Sequence, residues 1–227
     1  MNSQFERTIK LIGEENFNKL QNTTIAIFGL GGVGGTAFMA LLRSGVKHFI
    51  VIDFDTVSES NLNRQILYTL DSVGNLKVEE TKKYSTKINP EAEIITINQK
   101  INSDNISCLD KYKIDYMIDA IDDVSGKIAI AKYAEKRDIP LIVSLGMANR
   151  LSSENVIVTK LNKTTGDPLA RKLRYEFKNN NIDISKIDVV FCKDEPLIKE
   201  ATPYSMMMTP SSAGLAIGSF IIKNIIS

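Results

Sequence analysis

The sequence predicts an α/β fold, a doubly wound, mostly parallel Rossmann-like sheet with helices on both faces, and three observations carry that expectation. Apolar runs at 24–28 and 48–52 are continuous rather than alternating, as strands covered by helices on both faces require. Helical segments of about ten residues separate successive runs, the signature of repeated strand–helix units. A cluster of glycines directly follows the first run and opens the first long helix, where a doubly wound sheet binds nucleotides.

In chain order, the reading begins with an arm at 5–20, FERTIKLIG and EENFNKL, broken at Gly13; Leu11, Ile12, Phe17 and Leu20 form its apolar stripe. The strand at 24–28 leads through GLGGVGG into a helix at about 33–44, and a second strand spans 48–52. VGNLKVEETKKYSTKINP, from 73, supplies a helix closed by Asn89 and Pro90. A strand at 93–99, a short helix at 106–112, a strand at 115–121 and a helix at 126–138 follow, the last turning the Ile128, Ala131 and Tyr133 region inward. Strands at 140–147 and 155–162 complete this part.

From 166 the character changes. Asp167 caps a helix that Pro168 begins and that frays into three asparagines, and 186–197 reads as a strand followed by an exposed loop. The tail SSAGLAIGSFIIKNII at 211–226 reads as a buried helix started by Ser211 or Ser212, with a subunit contact or peripheral membrane attachment as alternatives. At about 1.5 Å per residue it is too short for a hydrocarbon core of roughly 30 Å, and Lys223 interrupts it, so no transmembrane segment is expected. Without a repeat or a flexible linker, 1–227 is one domain: the arm at 5–20, a nucleotide-binding core at 24–162, and a crossover region with the final helix at 163–227.

Composition narrows the function. A chain of 227 residues and 25.2 kDa buries a core without disulfides or a metal. The 28 basic and 27 acidic side chains leave a net charge of +1, so no global basic field advertises nucleic acid, although a local patch remains open. Two cysteines, Cys108 and Cys192, form no CxxC pair, which excludes a four-cysteine structural zinc site. His48 is the sole histidine, so chemistry needing two imidazoles is excluded too. The opening MNSQFERTIK lacks the apolar run of a secretory signal; with the cysteine usage this favours a cytoplasmic location.

Gly29, Gly31 and Gly34 match the GxGxxG spacing, with Gly32 between them: the first allows the turn, the second admits a phosphate to the backbone, the third lets helix and strand pack. Asp53 ends the next strand, where a carboxylate accepts hydrogen bonds from ribose hydroxyls, and Asp55 either holds the loop or helps with a cation. A simple dehydrogenase motif would stop there, but Asn61, Asn63, Arg64 and Gln65 follow, then Lys77. An arginine fork and a lysine point charge beside a nucleotide loop suit a triphosphate attacked at its α-phosphorus; hydride transfer needs neither. In DAIDD, Asp119 falls in a strand, Asp123 suits a helix cap, and Asp122 is left at the strand's carboxyl end as the Mg²⁺ ligand. Asp122 and Lys77 would together neutralise departing pyrophosphate.

FERTIKLIG with its Arg7, GLGGVGG, VIDFDTVSESNLNRQ, VGNLKVE, INPEAEI and DAIDD together resemble the ubiquitin-activating-enzyme-like family of adenylating ATPases. The resemblance is dense through residues 5–124 and implies transfer of AMP from ATP to a carboxylate, with release of pyrophosphate. It implies that Asp53 binds ribose, that Asn61, Arg64 and Lys77 bind phosphates, that Asp122 holds magnesium, and that Arg7 reaches as an arginine finger into the partner's site of a homodimer. LIGEE, the long VSLGMANRLSSENVIVTKLNKTTGDPLARKLR segment and TPSSAGLAIGSFIIKNII are similar to the tRNA threonylcarbamoyladenosine dehydratase branch of that family. That branch implies a tRNA carrying threonylcarbamoyladenosine as substrate, cyclised with net loss of water.

The alternative within the family is adenylation of the C-terminal carboxylate of a ubiquitin-like sulfur carrier; outside it, a nucleotide-binding protein without catalysis. The sulfur-carrier relatives usually hold zinc through paired CxxC motifs, which this chain lacks, and Cys192 reads as a structural or incidental thiol. A degenerate binding module should have lost the cations and acids that are all present here. For the RNA, Lys163, Arg171, Lys172, Arg174 and Lys178 form the densest basic stretch, while Arg150 is the candidate that positions the modified nucleotide. A sulfur-transfer partner is left open.

Overall fold

The computed structural model describes residues 3–198 and 203–227; the first two residues of MNSQFERTIK and the 199–202 stretch lie outside the described residues. Seven strands form one sheet in the order β3-β2-β1-β4-β5-β7-β6. They are β1 (Thr24–Phe28), β2 (His48–Ile52), β3 (Glu93–Ile97), β4 (Tyr116–Asp119), β5 (Leu141–Ser144), β6 (Val156–Lys160) and β7 (Asp188–Cys192). All neighbours pair parallel except β6, which runs antiparallel to β7 at the sheet's edge. The expected mostly parallel α/β sheet is therefore present.

Each central strand feeds two cores through the two-residue alternation of its side chains. Ile25 and Ile27 of β1, with Phe49 and Val51 of β2, face one cluster; Ala26 and Phe28, with Ile50 and Ile52, face the other. The first cluster is covered by α3 (Gly32–Ser44) and α7 (Met208–Ile226), joined by α2 (Glu14–Gln21) and α4 (Lys77–Thr86). The second is covered by α5 (Val124–Arg137) and α6 (Pro168–Asn179). With both faces covered, the strand sequences have no polar side to show, and this is why they read as unbroken apolar runs.

Helix α7 lies against α3 through small residues: a Cβ at Gly214 would fall 2.5 Å from the Val33 carbonyl oxygen. Its Ala213, Ile217 and Ile221 are fully buried, so the tail is a core helix. Among the described residues no helix is long and apolar enough to cross a membrane.

Several boundaries differ from the sequence expectation. Helix α7 starts at Met208, ahead of Ser211; Pro210 is tolerated because a first-turn residue needs no intrahelical amide bond, and the Thr209 hydroxyl donates to the Ser152 carbonyl at 2.9 Å. Helix α4 starts at Lys77 rather than near 73, because 70–76 is taken up by a short 3₁₀ turn and the Thr56–Leu76 bridge. The segment at 106–109 is a 3₁₀ turn. In the arm, α1 (Glu6–Ile12) and α2 break at Gly13, which adopts φ +84°. That break leaves Leu11 84% exposed, outside the expected stripe, while Phe5 takes an inner place against Phe17 with ring centroids 5.5 Å apart.

The closest packing lies between the turn after β1 and the start of α3. A Cβ at Gly34 would stand 1.9 Å from the Gly29 carbonyl oxygen, backbone that has no room to yield. Gly34→Ala should therefore cost about 2 kcal/mol or more in urea unfolding, at the upper end of overpacking substitutions. A loss below about 0.5 kcal/mol, the range of a neutral surface change, would contradict this packing.

Candidate active site

The order of the strands reverses direction at β1, whose neighbours are β2 on one side and β4 on the other, and the crevice outside their carboxyl ends is where such sheets take ligands. A cavity of about 670 Å³ opens there. Gly29, Gly31 and Gly32 form one wall, Asp53, Phe54 and Asp55 the next, and Asn61, Arg64, Gln65 and Lys77 the third; Gln99–Ile101 and Ala120–Asp123 close it. Of the sequence-expected nucleotide residues, Gly29, Gly31, Gly32, Asp53, Asp55, Asn61, Arg64, Gln65, Lys77 and Asp122 thus meet in a single cavity, while Gly34, Asn63 and Arg7 lie outside its lining.

The floor is backbone held by one carboxylate. Asp53 accepts the Leu30 amide at 2.7 Å on one oxygen and the Asp55 amide at 2.9 Å on the other, tying the glycine loop to the end of β2. Burial raises the Asp53 pKa above its usual range, opposed by the positive charge of Lys77 and the amide bonds. Gly31, at the start of α3, offers no side-chain cap, so the first amides of that helix stay open to an anion. Tyr68, which the sequence reading missed, braces the loop from behind with its hydroxyl donated to the Leu30 carbonyl at 3.0 Å.

The cations sit at different depths. Lys77, at the first position of α4, is buried, and its Nζ lies 2.8 Å from Asp55 Oδ2. Asp55 thus holds the Lys77 ammonium at the pocket wall, where both residues line the cavity. Half-buried Arg64 donates to the Ser60 carbonyl at 2.7 Å and to Asn63 Oδ1 at 2.8 Å, which orients its fork at the rim. Asn61 spends its carbonyl oxygen on the Ser58 amide, and Asn63 anchors the distant Ser205 carbonyl at 2.8 Å. Gln65 is buried with Oε1 unpartnered, an acceptor in the pocket wall that a ligand donor or a water would satisfy.

The acids after β4 divide by what they already hold. Asp119 is fully buried and paired with Lys127, Nζ to Oδ1 2.8 Å; burial raises its pKa, and the lysine opposes that rise. Asp123 caps α5 by accepting the Gly126 amide at 2.7 Å and the Ser125 hydroxyl at 2.6 Å, which hold its pKa low. The exposed Asp122 carboxylate, in the cavity, makes no hydrogen bond or ion pair. Among the described residues there is no cluster of three metal-binding side chains. One free carboxylate in the cavity still fits Mg²⁺, an ion that proteins commonly hold through one or two carboxylates.

The remaining candidates lie elsewhere. Arg7 is exposed on α1 and does not line its own chain's cavity. Arg150, the candidate for positioning the modified nucleotide, is buried and outside the cavity lining, with Nε donating to the Asp194 carbonyl at 2.9 Å, Nη1 to the Gly146 carbonyl at 2.8 Å, and Nη2 3.5 Å from Asp167. Its donors knit the loops after β5 and β7 to the cap of α6. Arg174 likewise turns inward to Thr164, whereas Arg171 and Lys172 are exposed on α6. Cys192 is buried in β7, and burial pushes its thiol pKa up, as it does for Cys108.

A crevice at the switch point lined by a glycine loop, Arg64, Lys77, Asp53 and the free acid Asp122 suits the class of adenylating nucleotide-binding proteins better than a dehydrogenase. The chain belongs to the ThiF family, whose sequence profile it matches over residues 5–192. It is 34% identical over 241 residues to the tRNA threonylcarbamoyladenosine dehydratase of Bacillus subtilis, covering 98% of this chain and 94% of that protein. The Escherichia coli tRNA N6-threonylcarbamoyladenosine dehydratase TcdA, solved in complex with ATP, superposes with a TM-score of 0.92 at 31% identity, covering 98% of this chain and 93% of that one. Escherichia coli MccB, at 23% identity and a TM-score of 0.70, shares the fold.

Asp53 supplies a test of the pocket. As the ribose acceptor that the family resemblance implies, Asp53 would accept best when ionised, so nucleotide affinity should be strongest above the Asp53 pKa and fall as pH drops through it. Because burial has raised that pKa above 3.8, the loss begins at a higher pH than for an exposed aspartate. Asp53→Asn should weaken ATP binding about 10- to 100-fold near pH 7, the worth of a charged hydrogen bond, and flatten the acid limb. Calorimetric titrations across pH check both; an unchanged acid limb in the variant would count against this assignment.

Proposed function

We propose that this chain catalyses the ATP-dependent dehydration and cyclisation of threonylcarbamoyladenosine in tRNA, by adenylating the carboxylate of the modification. The observation that carries the reading is the likeness, over 98% of the chain, to a dehydratase solved with ATP, centred on a cavity whose residues suit that nucleotide. A substrate carboxylate oxygen attacks the α-phosphorus of ATP, and the α–β bridging bond breaks with its electron pair leaving on pyrophosphate. The modification's own nitrogen or oxygen then attacks the activated acyl carbon, and AMP leaves with the carboxylate oxygen. The nucleophile loses a proton to solvent, so the modification loses one water. Because the nucleophile is already part of the substrate, ring closure draws on proximity and needs no enzyme thiol. The raised pKa of buried Cys192 agrees with that and weakens the case for a thioester of the sulfur-carrier kind.

The chain's residues divide the work. Asp53 holds the ribose, the first amides of α3 meet the phosphates, and Asn61, Arg64 and Lys77 neutralise the triphosphate. Lys77 exchanges Asp55 for phosphate oxygen as charge moves onto pyrophosphate. Asp122 would hold Mg²⁺, whose positive charge would offset that of the phosphates. Exposed Arg171 and Lys172 on α6 suit the RNA backbone, a local contact consistent with a net charge of only +1.

A homodimer completes the site, with Arg7 of the partner subunit entering each cavity. Supporting it, Arg7 is exposed and absent from its own pocket wall, and Leu70, Tyr204, Met206 and Met208 are exposed apolar groups.

With labelled ATP and magnesium, AMP and pyrophosphate should form only when tRNA carrying threonylcarbamoyladenosine is supplied, and mass spectrometry of the nucleoside should show loss of one water. ADP as the stoichiometric product would sink adenylation, and stimulation by a small protein's C-terminus instead of RNA would transfer the activity to the sulfur-carrier class. Complementation tests the dimer: Arg7→Ala and Lys77→Ala homodimers should both lose most activity, while mixed dimers regain one intact site. No recovery after confirmed mixing would place Arg7 outside the partner's site.

A further inference from the structure

Lys127 is a charged side chain with no access to solvent and no contact with the cavity. It sits in the first turns of α5, and its Nζ donates to Asp119 Oδ1 at 2.8 Å, on the last residue of β4, and to the Ser144 carbonyl at 3.0 Å, on the last residue of β5. Both members of the ion pair are fully buried, and Asp119 Oδ2 has no partner. Buried pairs of this kind are seldom the most stabilising way to fill a core, since well-packed apolar groups often do as well or better. Geometry suggests what the pair provides instead.

The same Asp119 oxygen that receives Lys127 also accepts the Ile121 amide at 3.2 Å, one residue before Asp122. On the other flank, Ala120 donates to the Phe28 carbonyl at 2.8 Å, and Asp123 is committed to the cap of α5. Every residue around Asp122 is thus tied down, and Asp122 alone keeps its carboxylate for the cavity. Lys127 stands at the root of this turn, joining the helix that follows it to the strand that precedes it.

We propose that Lys127 is a positioning residue: through Asp119 it fixes the turn that presents the Asp122 carboxylate to a nucleotide-bound divalent cation. The inference rests on the reading of Asp122 as the magnesium-holding acid. A lysine removed from the ligand by an aspartate and a backbone amide acts as the outer support of a metal site, where losing the support typically weakens metal affinity about 10- to 100-fold.

The test measures ATP binding by calorimetry in the full chain as Mg²⁺ is varied, beside hydrogen exchange of the 120–123 amides in nucleotide-free protein. Asp122→Ala is the reference and should raise the half-saturating Mg²⁺ concentration about tenfold or more. Lys127→Met should reproduce that shift about tenfold and speed exchange at 120–123, while ATP affinity without magnesium changes less than about twofold; Lys127→Arg should restore the wild-type titration. Removing one charge of a buried pair strands the other, so a double variant, Asp119→Leu with Lys127→Met, removes both and keeps the core apolar. It should fold and still show the magnesium shift. If Asp122→Ala leaves the titration unchanged, the reading of Asp122 fails and the inference with it. If Asp122→Ala shifts the titration and the folded Lys127 variants do not, the positioning role alone is overturned.

Discussion

The turn after β1 and the first turn of α3 approach until only a hydrogen atom fits between them: a Cβ on Gly34 would lie 1.9 Å from the Gly29 carbonyl oxygen, and one on Gly29 would lie 2.7 Å from that of Ala120. This three-way backbone contact draws the glycine loop, the start of α3 and the turn after β4 onto one spot. The open amides of α3 and the carboxylate of Asp122 face one cavity because no side chain separates their supports. Gly29 adopts φ +86°, a conformation that costs other residues, so its place in the turn is a backbone requirement as well as a spatial one. The nucleotide crevice follows from a defect of volume, the absence of two methyl groups.

Around that contact, five aspartates of identical chemistry have acquired separate roles from their surroundings. Asp53 is a backbone organiser with two amides on its carboxylate, and Asp55 is a tether for Lys77. Asp119 is one half of a buried pair, and Asp123 is a helix cap. Only Asp122 is uncommitted. Hydrogen-bonded amides and hydroxyls lower a carboxyl pKa and burial raises it, which is why Asp123 moves down while Asp53 and Asp119 move up. The acid with the fewest internal partners is the one whose carboxylate stays open to the cavity.

The opposite half of the sheet is organised by charge kept away from solvent. Arg150 spends its guanidinium on the carbonyls of Gly146 and Asp194 and lies beside Asp167, so the loops after β5 and β7 and the start of α6 are tied together. Asn149, at φ +60°, extends this by exchanging two hydrogen bonds with Tyr204 and accepting the Leu197 amide at 2.7 Å. The crossover region is therefore anchored on both sides of the 199–202 stretch, and again by Asn63 at Ser205.

What the sequence determined by itself was whatever depends on local pattern. Continuous apolar runs separated by helical segments imply a parallel sheet covered on both faces. The glycine spacing after β1 locates the phosphate loop, and the acids and cations that follow at strand ends fall in one crevice because strand ends of a parallel sheet converge there. Tertiary structure decided the rest, since it turns on which groups meet across long stretches of chain. Leu11 and Arg150 illustrate this: an apolar stripe cannot show that a break at Gly13 turns one member outward, and an arginine near a loop carries no mark of the carbonyls that will take up its donors. Lys127 was invisible for the same reason. On a helix of ordinary composition it reads as one more solvated lysine, and only the packing of α5 over the ends of β4 and β5 removes it from water and sets it against Asp119.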